Sequence, residues 1–333
     1  MATTYNTHTR AGSVLRLGAC AGLAVVALLA ASLDTPRNAT AATVATTADR
    51  PADGSTYGWP VKPFFGQHPV RGSFGDPRIL GKSHSFHFGV DVSCPNGTPV
   101  YATVSGCAYV YPGHPETVSV KADDGVRTFG YWHIRPSIRN GQRVTAYRTV
   151  IGTVLAPWEH VHFAEQRKGV YVNPLRAGGM GPYRDTTVPM VRSFTVETGS
   201  TARRATTAHG RVDLVVEAYD RTPISISGPW HDKPLSPARL EWRLVGRDGA
   251  VKGWRTAVDF RMVYPPNERW SETYASRTRQ NKKIWDARYR FYLVHDLNTR
   301  TLADGRYRVE VRATDIRGNA GTETFTLTVA NDI

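Results

Sequence analysis

From Tyr57 to about Leu175 apolar and polar positions alternate in short runs, and each run is closed by Gly, Pro or Asn. Alternation with a period of two predicts half-buried β-strands. The runs Val100–Val104, Tyr109–Tyr111, Val118–Lys121 and Arg127–Ile134 read this way, with Pro95-Asn96-Gly97, Ser105-Gly106 and Asp123-Asp124-Gly125 as turns. No stretch sustains a helical period. The expectation is a mainly β chain whose first part is a compact antiparallel domain over 58–180. Residues 176–190 are rich in Gly, Pro and Arg, so a linker is placed at 181–192. Beyond it, Val212–Ala218 alternates, and Leu240/Trp242/Leu244, Tyr307/Val309/Val311/Ala313 and Phe325/Leu327/Val329 form further apolar stripes. Strands at this spacing over 193–333 predict an immunoglobulin-like β-sandwich.

The N-terminus has a different pattern. Arg10 and Arg16 precede the uncharged run Leu17–Leu33, and Ala39-Thr40-Ala41 follows as a small-x-small site. This predicts a signal peptide over 1–41, cleaved rather than kept as an anchor, followed by a linker over 42–57. The product is a secreted or cell-wall-associated protein. Downstream of the signal only Cys94 and Cys107 remain, and two cysteines in an exported protein point to a disulfide. The formal net charge of the chain is +14, which favours anionic cell-wall polymers or membrane faces as partners. No nucleic-acid motif is present, so nucleic acid is not expected. Between Asn267 and Tyr292 basic and aromatic residues interleave, and this segment reads as a solvated insertion plus a strand.

The chemistry lies in His87-Phe88-Gly89-Val90-Asp91 and His160-Val161-His162-Phe163. In extended chain, His87, Gly89 and Asp91 point one way, and Phe88, Val90 and Val92 the other. His160 and His162 share a face in the same manner. Two His and one Asp form a common catalytic zinc ligand set, and one His is left over for acid–base work. His133 ends the aromatic strand Phe129-Gly130-Tyr131-Trp132. The remaining histidines of the exported chain sit in turn-like or polar contexts and read as solvated.

These residues resemble the lysostaphin-type (LytM-like) zinc metallopeptidases. The motif His-x-Gly-x-Asp is matched at 87–91, Gly-Thr-Pro-Val-x-Ala at 97–102, Tyr-x-His at 131–133 and His-x-His-Phe at 160–163, with Asn-Pro-Leu at 173–175. Ser73-Phe74-Gly75-Asp76-Pro77-Arg78 also fits the family. Two departures concern the groove. The Gly- and Thr-rich loop before His-x-His is replaced by Val154-Leu155-Ala156-Pro157-Trp158-Glu159, and the acid after the Phe is displaced to Glu165.

The resemblance implies one Zn2+ per chain on His87, Asp91 and His162, with catalytic roles for His133 and His160. It implies a metalloendopeptidase acting on bacterial peptidoglycan. His160 is the favoured base, because it shares a strand face with His162. The competing readings are a non-catalytic wall-binding or hydrolase-activating protein on the same fold, and a cupin-like His-x-His site completed by Glu165. Phe86, Trp132 and Trp158 are candidates for the groove lining or for the core.

Overall fold

The computed structural model describes residues 54–331 apart from 200–202, 206, 247–248 and 250–252. The expected signal peptide and most of the expected 42–57 linker lie outside the described residues. Asp49–Ile333 form one compact unit. Among the described residues no helix is long and apolar enough to cross a membrane, and the one α-helix is the four-residue Trp270–Thr273.

The site is built on an antiparallel sheet whose order is Val70–Gly72, Val90–Ser93, His160–Arg167, Arg127–Trp132, His114–Ala122, Gly106–Tyr111 and Gln142–Val144, with Val170–Val172 paired to the end of His160–Arg167. Beside it stand a three-stranded sheet (Pro99–Tyr101, Val150–Val154, Ile134–Pro136) and the hairpin Pro77–Leu80/Ser83–Phe86. Alternation along His160–Arg167 sends Val161, Phe163 and Glu165 to one face. Val161 and Phe163 enter the core there, where the Phe163 ring meets Tyr57, Phe129 and Tyr131. Glu165 is fully buried, accepts from both terminal nitrogens of Arg176 at 2.6 and 2.8 Å and from the Tyr57 hydroxyl at 2.5 Å. A carboxylate committed in this way, on the face opposite His160 and His162, completes no metal site, which removes the cupin-like reading.

Beyond residue 189 two further four-stranded antiparallel sheets follow, one ordered Arg203–Ala205, Met190–Thr198, Arg211–Tyr219, Arg290–Asn298, the other Arg255–Asp259, Arg239–Val245, Gly305–Thr314, Ala320–Val329. This second β region packs directly on the first. Tyr274 donates its hydroxyl to the Gly75 carbonyl at 2.7 Å, Ser236 N donates to Asp76 Oδ1 at 3.0 Å, and Trp270 stacks on His84 at 4.1 Å. Gly75 holds φ +90, and a Cβ there would lie 2.3 Å from the Phe260 ring, so the contact requires glycine.

Two expectations need correction. Cys94 and Cys107 are both free thiols. Cys94 follows the strand Val90–Ser93 and Cys107 sits in Gly106–Tyr111, with three strands between them. Four strand spacings come to roughly 19 Å, far beyond disulfide reach. The expected single strand Arg127–Ile134 is interrupted at His133, which has φ 64. The basic segment over 267–292 has an exposed stretch at 282–286 and runs into the strand Arg290–Asn298, and several of its charges are paired: Arg277 and Arg290 with Glu197, Arg288 with Glu217, Lys283 with Glu159.

Candidate metal centre

Strand register brings the donors together. His162 and Asp91 are direct cross-strand partners, and His162 also faces Trp132 on its other neighbour. Directly opposed residues in antiparallel strands hold their Cβ atoms about 5 Å apart. His87 enters from the end of the hairpin Pro77–Leu80/Ser83–Phe86. Nε2 of His87 lies 2.6 Å from Nδ1 of His162, and Oδ1 of Asp91 lies 3.1 Å from each. A triangle of this size leaves a position about 2.0–2.1 Å from all three atoms, the length of zinc bonds to imidazole nitrogen and carboxylate oxygen.

The surroundings suit these atoms to metal ligation. Nδ1 of His87 lies 2.9 Å from the Ser73 carbonyl, so it carries the proton and leaves the Nε2 lone pair free. Oδ2 of Asp91 accepts from Arg78 Nη2 at 2.9 Å. Burial alone would raise the Asp91 pKa, but attraction to His87, His160 and Arg78 outweighs it and holds the carboxyl well below its ordinary range. Burial, with the nearby Arg78 charge, lowers His87 to about 3, and burial also lowers His162. Both rings are therefore neutral, as ligation requires. Nε2 of His162 is buried without a hydrogen-bond partner. A Cβ at Gly89 would lie 2.8 Å from that atom and 2.4 Å from the Phe163 carbonyl, so only glycine lets the ring sit here.

His133 and His160 stand beside the triangle. The His160 ring centroid is 4.7 Å from that of His133, and its Nε2 lies 3.4 Å from Asp91 Oδ1. Burial, then His160 and His162, lower the His133 pKa to about 2. The His133 ring stacks on Trp158 at 3.9 Å, and its Nδ1 is buried with no partner.

All five residues singled out in the sequence thus meet in one place, but the extended-chain picture fails at Phe88. Residues 87–89 are not strand. The Phe88 ring leaves the core side and packs on His162 at 4.6 Å and on Trp132 at 5.6 Å. Phe86 is core, against Phe260 and Tyr274. Trp158 and Trp132 line the site. Sequence reasoning missed Arg71, Phe88 and Trp230. Ser73 and Arg78, which position His87 and Asp91, both lie in the Ser73–Arg78 element.

The model of Peptidase family M23 matches residues 85–174, which include every one of these donors. Residues 85–174 are an M23 peptidase domain. Among solved structures, the catalytic domain of the antimicrobial peptidase lysostaphin from Staphylococcus simulans is 26% identical, over 31% of this chain and 86% of that one, with a TM-score of 0.27. A variant catalytic domain of the prophage-encoded M23 protein EnpA from Enterococcus faecalis is 26% identical over 40% and 99%, with a TM-score of 0.28. A zinc-containing peptidase from Vibrio cholerae is 23% identical over 34% and 37%, with a TM-score of 0.29. No curated protein matches the chain. The second β region lies outside the M23 match.

Proposed function

We propose that the chain is a secreted, zinc-dependent endopeptidase that hydrolyses peptide bonds of bacterial peptidoglycan. The observation that carries this reading is the convergence of His87 Nε2, Asp91 Oδ1 and His162 Nδ1 inside an M23 peptidase domain. Zinc held by these three atoms would supply a water of lowered pKa, about 7, and polarisation of the scissile carbonyl. Of the two imidazoles beside the triangle, one takes the water proton and passes it to the leaving amine. The other donates a hydrogen bond to the oxygen that gains negative charge. Phe88, Trp132 and Trp158 form the apolar walls beside these groups. Export through a signal peptide over 1–41 brings the enzyme to its substrate. The two stacked four-stranded sheets of the second region are proposed as an immunoglobulin-like sandwich, with the M23 part over 58–180 and the linker over 181–192.

The test is mass spectrometry of fragments released from defined peptidoglycans by the mature protein, with and without chelator. The expected result is new peptide termini that vanish with chelator and return with added zinc. Intact peptidoglycan under zinc-replete conditions would leave a wall-binding scaffold instead.

A further inference from the structure

Arg71 is an anomaly beside the site. The residue is 8% exposed, and its Nη1 is buried with no hydrogen-bond partner. Among the described residues no carboxylate lies within ion-pair distance of it. Its Nη2 donates to the Trp158 carbonyl and lies 2.5 Å from Nδ1 of His160. Nδ1 is also 2.7 Å from that carbonyl. A guanidinium nitrogen is a donor only. A proton on Nδ1 would bond the Trp158 carbonyl and set two donors against each other beside a cation, whereas a lone pair on Nδ1 accepts from Nη2 and is the arrangement the guanidinium favours. One Nη2 group has two N–H bonds, one for the carbonyl and one for Nδ1. The His160 proton then resides on Nε2, which faces Asp91 Oδ1 at 3.4 Å, on the side of the ligand triangle.

Arg71 is itself held from the second β region. The Trp230 ring covers the guanidinium at 4.1 Å, a cation–π contact. Lys283 of the same region pairs with Glu159 at 3.0 Å, one residue before His160.

We infer that Arg71, clamped by Trp230, is a positioning residue that fixes His160 as an Nε2–H donor toward the reacting carbonyl oxygen, which leaves His133 as the general base. This reverses the assignment favoured from strand geometry alone. It makes the second β region part of the catalytic apparatus rather than an appended anchor. The tautomer is argued from geometry alone, while the donor and base roles of His160 and His133 rest on the hydrolase reading.

Two-bond 1H–15N spectra of the histidine-labelled full mature protein test it, with the His160 signals identified by their loss in His160→Gln. The expected spectrum shows Nδ1 unprotonated and Nε2 protonated, with the proton shifting toward Nδ1 in Arg71→Met. A wild-type His160 protonated on Nδ1 overturns the inference, whether or not the protein turns over peptidoglycan. In the kinetic arm, Arg71→Met should lower kcat about 10- to 100-fold with KM within about twofold and metal content unchanged. Trp230 is half-buried and more tolerant of change. Trp230→Ala should show a smaller loss of the same kind, and Trp230→Phe should restore most of it. Unaltered kcat in a folded Arg71→Met, or in Trp230→Ala if Arg71→Met does not fold, contradicts the role. A wild type without turnover sinks the hydrolase reading, and the tautomer measurement still decides this one.

Discussion

Asp91 uses its two oxygens for separate tasks. Oδ1 faces His87, His162 and His160, while Oδ2 is held by Arg78. Removing Arg78 leaves the carboxylate free to rotate away from the triangle. Arg78→Met is therefore expected to weaken zinc binding about 10- to 100-fold, measured by competition with a chelating dye. Unchanged affinity would show that the sheet alone orients Asp91. His160 behaves differently, because it lies beside the triangle rather than in it. His160→Gln should keep its metal and lose about 100-fold or more in kcat. Full activity in that variant would remove His160 from the chemistry. The candidate ligand residues stood out in the sequence because His, Asp and His with small spacers beside apolar strands leave few other roles for three polar groups. Arg71 was not legible, since nothing within its own segment distinguishes it from a surface arginine. Its meaning comes from Trp158 and Trp230, far away along the chain.

At the scale of elements, the register of His160–Arg167 against Val90–Ser93 makes the site, and Gly89 is where the chain turns into that register. Gly89→Ala would drive a Cβ into the Phe163 carbonyl and the His162 ring. The expected cost is about 1–3 kcal/mol of stability, with metal binding impaired. A thermal melt and metal analysis of the variant check it, and a wild-type melting temperature with full metal content would contradict the packing described. The free thiols make a second expectation at this scale: reductant leaves the melting temperature unchanged, whereas a marked fall would reveal a disulfide. Strand alternation was readable because an antiparallel sheet buries one face and so imposes a period of two. The left-handed backbone at His133 was not. A non-glycine residue in the left-handed region is set by contacts such as the Trp158 stack, which alternation does not encode.

Across the whole molecule, the second β region is continuous with the site through Trp230, Lys283, Tyr274 and Trp270. That continuity could not be read from hydrophobic stripes, which mark which face of each strand is buried and not what buries it. A further consequence lies among the buried carboxylates Asp185, Asp220 and Asp315. Burial, and then the charges of Asp185 and Asp315, raise the Asp220 pKa to about 8. Its unfolded pKa is near 3.9. Between these values the folded chain holds a proton that the unfolded chain has released, so this group makes stability fall as pH rises, by up to about 1.4 kcal/mol per pH unit. Buried neutral histidines act in the opposite sense, but mainly below about pH 6.5. Asp220→Asn should therefore flatten the decline in urea-unfolding free energy between about pH 6.5 and 8. Parallel pH profiles for variant and wild type would contradict the raised pKa.

The most direct test of the site is the zinc content per chain of the purified protein, measured by mass spectrometry of the metal after dialysis against zinc. One zinc ion is expected for the wild type, and close to none for His87→Ala, Asp91→Ala and His162→Ala. A correctly folded wild type that retains no zinc, or variants that retain a full complement, would contradict the assignment of these three side chains as the metal ligands.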